Sequence, residues 1–166
     1  MYIIFIMYDL QIFNQVKNKG LEKYEKFDKI LCPYLKKYVV FNRKGLEHIS
    51  TKQWNRARLS SDQFLRYKFI HLAPIIISRS QTLQEYEEKM SFERVRINSR
   101  WEKRAVNTKY YGFVAILQTV RIKIVVKAID DNEPYFWSII PFWKQEKSPI
   151  NGAVKRVFNN GDLEDQ

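Results

Sequence analysis

Alternation of apolar and polar positions is clearest between Tyr110 and Trp143, where it predicts three consecutive β-strands. In the middle one, Thr119 to Ile129, apolar side chains occupy positions 120, 122, 124, 126 and 128, while Thr119, Arg121, Lys123 and Lys127 share the other parity. Such a strand buries one face and leaves the other basic. An antiparallel sheet can be wetted on one side, so the expectation is a cationic sheet face open to a phosphate backbone. Asp130, Asp131, Asn132 and Pro134 mark the turn into the last strand.

Upstream, the spacing turns helical. Ile12, Phe13, Val16, Leu21, Tyr24, Phe27 and Leu31 fall roughly on one side of a helix over residues 10–31, with Gly20 expected to interrupt it and Pro33 to end the region. Tyr38 to Phe41 reads as a short strand. Asn42 can cap a helix beginning at Gly45 to Ile49 and continuing through Thr51 to Arg58. Ser60 or Ser61 with Asp62 starts a further helix through Lys68. The apolar run Leu72 to Ser78 has strand character, and Pro74 makes it short or an edge strand. A helix is expected from Thr82 to about Met90, with Glu85, Glu87 and Glu88 on its exposed face, and the basic, irregular segment Ser91 to Lys109 reads as a mobile arm or loop. Helices followed by a strand meander make an α+β plan.

The chain has 166 residues without an internal repeat, low-complexity tract or Pro/Gly/Ser linker, which suits one domain, and 45% hydrophobic content is ample for a core. Met1 to Tyr8 is strongly apolar but too short to span a bilayer, and it lacks the basic start and small-residue cleavage site of a signal peptide. It reads as a packed strand or helix start, or as a surface segment that docks on a partner. Cys32 alone excludes an internal disulfide framework and a cysteine-rich zinc site, and it fits a reducing, cytoplasmic compartment.

Charge sharpens the picture. Net +11 favours polyanionic partners, and the excess is localised: residues 31–60 hold seven cations and one anion, residues 91–120 six cations and two anions. Segments 61–90 and 121–166 each balance to zero. One or two basic patches are therefore expected, facing nucleic acid or an anionic membrane surface.

The chemistry available is narrow. The five glycines are scattered, so no phosphate-cradling loop is present, and no His/Cys/Asp set has metal-ligand spacing. Of the two histidines, His71 lies among Phe69, Ile70, Leu72 and Ala73 and reads as a core or junction residue, whereas His48 has Lys44, Glu47, Lys52 and Arg56 nearby by spacing. A histidine titrates near neutral pH and can move a proton in phosphoryl transfer without a metal. Attack of a ribose 2′-hydroxyl on its own phosphate needs a base, an acid and cations around the phosphoryl oxygens. His48 can serve as base or acid, Arg121, Lys123 and Arg56 can bind phosphate, and Tyr135 or Ser138 can donate or orient a proton. Trp101, Tyr110, Tyr111 or Trp137 can stack on an unpaired base if exposed. No cofactor is needed.

The segments Val39 to Ile49, Leu72 to Ile76, Tyr110 to Phe113, Thr119 to Val126 and Tyr135 to Pro141 together resemble the phage-associated branch of the Barnase–EndoU–colicin–RelE nuclease superfamily. The resemblance covers roughly residues 38–145 as a nuclease-like core. It leaves outside it residues 1–37, a helical N-terminal extension, and a tail, 146–166, expected to be partly disordered. It implies N-terminal helices packed on a twisted antiparallel sheet of about four strands, with RNA on the sheet face. It also implies metal-independent RNA cleavage, often as the toxin of a toxin–antitoxin pair. Position by position, it places the catalytic histidine on His48, the basic strand residues on Arg121 and Lys123, and the last-strand hydroxyl on Ser138. Lys44, Lys52, Arg56, Tyr135 and Trp137 would then contact RNA.

Three functions follow from different classes. The first is an endoribonuclease toxin, covered when inactive by an acidic antitoxin. The second is a non-catalytic nucleic-acid- or ribosome-binding module, and the third a membrane-surface or partner-docking protein using the apolar N-terminus without inserting into the bilayer.

Overall fold

A computed structural model describes residues 2–52, 56–117, 120–142 and 163, with side chains from residue 9 onward in those ranges. The order is α1 (Tyr2–Glu25), β1 (Ile30–Cys32), β2 (Lys37–Val39), α2 (Arg43–Ser50), α3 (Ser60–Phe69), a 3-10 turn (Ile70–Leu72), α4 (Ala73–Arg79), β3 (Glu85–Ile97), β4 (Arg100–Leu117), β5 (Val120–Ile129) and β6 (Tyr135–Pro141). The fold is α+β, with the helices packed on a four-stranded antiparallel sheet in sequential order β3-β4-β5-β6 beside a two-stranded sheet, β1-β2. The even-numbered side chains Ile122, Ile124 and Val126 of β5 face the helices and join Tyr24, Ile49, Ile70, Ile76, Ile77, Phe136 and Ile139 in the main core.

Helix α1 runs through Gly20 without interruption. Gly20 is buried where α1 meets α3, and a Cβ there would stand 2.9 Å from the Tyr67 carbonyl oxygen. The glycine therefore serves helix–helix approach and does not break the helix. After Glu25 the chain turns, and the segment expected to end as helix forms β1 instead, paired Ile30 to Val39 and Cys32 to Lys37.

Four further expectations are overturned. Leu72 to Ser78 is helical: Pro74 sits in the first turn of α4, where its missing N–H costs nothing, and Ala73, Ile76 and Ile77 are buried at helical spacing. The stretch expected as a helix from Thr82 to Met90 is the start of β3, and Glu85 and Glu87 are buried rather than displayed on an exposed face. Ser91 to Lys109 is an ordered hairpin of β3 and β4, closed by Asn98 and Ser99 with positive φ of 46° and 69°, a pairing that suits the right-handed twist of the strands. Helix α2 stops at Ser50, with Thr51 bridged to Ala57, so it does not continue to Arg58.

The expected three-strand block is present as β4, β5 and β6, but the basic face read into β5 is not. Lys123 and Lys127 are buried. Lys123 Nζ lies 3.0 Å from Glu85 Oε2, and Lys127 Nζ lies 2.6 Å from Glu93 Oε1. Cations of one strand are neutralised by carboxylates of β3, two strands away. On the same face, Leu163 is buried against Tyr110 and Val125, and its backbone N–H donates to Glu87 Oε2 over 2.9 Å. Apart from Leu163, the tail expected to be partly disordered lies outside the described residues.

Candidate functional site

Helix α2 is aimed at β6 by two local features. Asn42 Oδ1 accepts the Gly45 N–H at 3.1 Å, capping the helix as the sequence leads one to expect, and Tyr24 of α1 donates to the Asn42 carbonyl at 2.7 Å. Gly45 then rests on β6 so closely that a Cβ would overlap the Phe136 carbonyl oxygen. One turn later, His48 meets the same strand. Its imidazole stacks on Trp137, with ring centroids 4.1 Å apart and planes inclined by 24°.

Trp137 owes its position to an irregularity. Val125 pairs with Ser138 and Val126 with Phe136, so Trp137 is the extra residue of a β-bulge, and its ring packs against Tyr110 and Val125. Behind the imidazole, Arg58 Nε donates to the His48 carbonyl at 3.0 Å. Arg58 Nη2 is nearly equidistant from the two ring nitrogens, at 3.4 and 3.5 Å, which puts it over the ring face and not along either N–H axis. His48 is thus held between an indole and a guanidinium.

Arg58, Asp62 and Arg66 recur at intervals of four residues around the start of α3, and the spacing stacks their side chains. Asp62 lies 3.5 Å from Arg58 Nη1 and 2.9 Å from Arg66 Nε. Arg66 Nη1 donates to Ser138 Oγ at 2.6 Å, joining α3 to β6. Burial pulls the Arg66 guanidinium down from its ordinary value, and the charge and hydrogen bond of Asp62 oppose the shift, so it stays a cation. On the other side, Lys127 Nζ sits 4.3 Å from the Trp137 ring centroid. The result is a continuous chain of contacts: Glu93, Lys127, Trp137, His48, Arg58, Asp62, Arg66 and Ser138.

This cluster gathers some of the sequence-predicted residues and scatters others. His48, Trp137 and Ser138 are together, although His48 is only 6% exposed and Ser138 is buried. Lys52 and Arg56 are exposed beside Arg58 and linked by a Lys52 N–H to Arg56 carbonyl bond of 2.7 Å, while Lys44 is exposed on the first turn of α2. Tyr135 is buried next to Trp137, with ring centroids 6.2 Å apart. Its hydroxyl has no hydrogen-bond partner among the described residues, and burial, then Glu93, pushes the phenol far above its usual range. Arg121 is not part of the site: it lies four residues from Val125, the neighbour of Ser138, or about 13 Å along β5. Lys123 is nearer but is engaged by Glu85. Of the aromatics considered for base stacking, Tyr110 is buried and Trp101 exposed.

Arg58, Asp62 and Arg66 are the residues that sequence reasoning missed. Their spacing of four was visible, but it reads equally well as a solvated helix face until β6 is known to lie against it.

Among the described residues, no group of three or more His, Cys, Asp or Glu side chains is set to hold a metal ion, and no helix is long and apolar enough to cross a membrane. No family model, curated protein or solved structure matches the chain.

Proposed function

We propose that the protein is a metal-independent endoribonuclease centred on His48. The observation that carries this reading is the convergence, at the β6 edge, of a histidine, two guanidiniums and an indole. In the reaction the ribose 2′-oxygen attacks the adjacent phosphorus and the bond to the 5′-oxygen breaks, leaving a 2′,3′-cyclic phosphate. His48 takes the 2′-hydroxyl proton. The leaving 5′-oxygen needs a proton in return, which the imidazolium formed on His48 can give back; the buried Tyr135 phenol, pushed far above its usual range, is too weak an acid for that part. Arg58 and Arg66 stabilise charge on the phosphoryl oxygens, while Lys44, Lys52 and Arg56 draw RNA toward the site. A cytoplasmic toxin whose acidic antitoxin covers these cations fits this chemistry.

A second reading, a non-catalytic RNA- or ribosome-binding module, is favoured by the near-complete burial of His48. The two separate in one experiment. Wild type and His48→Ala, matched by circular dichroism and thermal midpoint, are incubated in EDTA with total RNA, a single-stranded oligonucleotide and translating ribosomes. Cleavage by wild type alone, with cyclic phosphate ends, is expected. Absence of cleavage on all three substrates, or equal cleavage by the variant, would overturn the nuclease reading.

A further inference from the structure

The hairpin of β3 and β4 extends well beyond the sheet. Strand β5 pairs with β4 only from Thr108 to Leu117, whereas the β3–β4 ladder continues to Ile97 and Arg100, so residues 91–106 form a two-stranded arm. Seven residues of strand make it about 23 Å long.

Its two faces differ sharply. One carries Ser91, Glu93, Val95 and Ile97 from β3, partly buried, and Arg100, Glu102, Arg104 and Val106 from β4. This inner face holds both of the arm's anions and ties it to the sheet through Glu93 and Lys127. The outer face carries Met90, Phe92, Arg94 and Arg96 opposite Asn107, Ala105, Lys103 and Trp101. From residue 90 to 105 it contains three cations and no carboxylate. Phe92, Met90 and Trp101 are 71%, 68% and 67% exposed, against an expectation that large apolar groups without a partner are covered.

Solubility alone would account for the cations, since charged arms resist edge-to-edge pairing, but it does not account for the three exposed apolar side chains. A second copy of the chain is disfavoured as the occupant, because its identical face would set cation against cation. The ligand that matches both features is a strand of phosphates with unpaired bases.

We propose that this outer face binds single-stranded nucleic acid, apart from the His48 cluster. Phe92 and Trp101 stand four residues apart along the ladder, about 13 Å, with Arg94 and Lys103 paired between them. Lys103 Nζ already lies 5.7 Å from the Phe92 ring centroid, which holds the ring beside the cation. A single strand laid along the arm stacks one base on each aromatic and sets the intervening phosphates over Arg94, Lys103 and Arg96. A duplex keeps its internal bases paired and stacked on one another and so offers no two unpaired bases at this spacing. The surface works whether or not His48 performs chemistry.

The test is fluorescence anisotropy of labelled 20-mers, single-stranded RNA, single-stranded DNA and the RNA duplex, with the His48→Ala chain in EDTA so that cleavage cannot intrude. Single strands of either sugar should bind more tightly than the duplex. Phe92→Ala and Trp101→Ala should each weaken single-strand binding roughly tenfold. Arg94→Ala/Arg96→Ala/Lys103→Ala should reduce the slope of log affinity against log salt by about 2. All these positions are exposed, so thermal midpoints should stay at the parent value, and any variant whose midpoint falls is replaced by Trp101→Gln or Arg94→Gln. Equal duplex binding, or single-strand affinity unchanged in both sets of variants, would overturn the proposal. So would oligonucleotides left unbound while phosphatidylserine vesicles are held through the same residues.

Discussion

The imidazole of His48 and the indole of Trp137 stack with centroids 4.1 Å apart, and this contact joins α2 to the bulge of β6. Because Trp137 also meets the Lys127 ammonium, one side chain couples the helix to the charged network behind the sheet. Trp137→Ala should destabilise the fold by about 3 kcal/mol, whereas Trp137→Phe, which keeps a ring at the bulge, should retain most of that. Urea unfolding of the two variants measures the difference. Equal losses would show that the ring stacking contributes little.

Lys123 and Glu85 form a buried ion pair, and removing one partner leaves the other charged without its counterion. Lys123→Ala should cost about 3–5 kcal/mol, and Lys123→Met combined with Glu85→Leu should recover most of it. The denaturation midpoints of the singles and the double give the coupling directly. A phosphate-binding lysine on an open face would behave otherwise, with activity lost and stability kept.

Asp62 is shared by two buried guanidiniums. Asp62→Asn keeps the shape and removes the charge, so it should lower stability by about 3 kcal/mol, or roughly 6–12 °C in thermal midpoint for a chain of this size. If Arg66 is positioned by this carboxylate, the same variant should also impair RNA cleavage at temperatures where it remains folded, while Asp62→Glu preserves part of both.

His71, at the 3-10 turn between α3 and α4, titrates below its ordinary value because burial and then the Lys23 charge disfavour its protonated form, partly offset by its bond to the Lys68 carbonyl. The unfolded chain therefore takes up its proton first as the pH falls. This contribution to stability is complete above the unfolded value near 6.5 and is lost as pH drops toward and through the folded value. Thermal midpoints measured from pH 7.5 to 5 should fall more for wild type than for His71→Gln. Parallel curves would contradict the assignment.

Local signals in the sequence specified a good part of this molecule. The Asn42 cap, the helix beginning at Ser60 and the meander from Tyr110 onward each rest on contacts within a few residues or on strict alternation, and all three are present. The short apolar run Leu72 to Ser78 was ambiguous for a physical reason: six consecutive apolar residues suit a buried strand or a buried helix equally, and only packing on the core decides. The arm was misread because its outer face is aromatic and basic together, a pattern that is irregular by hydropathy although its geometry is regular.

Charge was the least legible property. A lysine on the polar parity of a strand looks open until the carboxylate facing it is known, and Glu85 is 38 residues from Lys123. Sequence by itself determined the fold class, the candidate histidine and the two basic stretches, because these depend on composition and local periodicity. Tertiary structure alone decided which cations are neutralised inside the sheet, which are held against His48 and which stand exposed on the arm. Those outcomes depend on pairings between strands and helices far apart in the chain, and no local pattern encodes them.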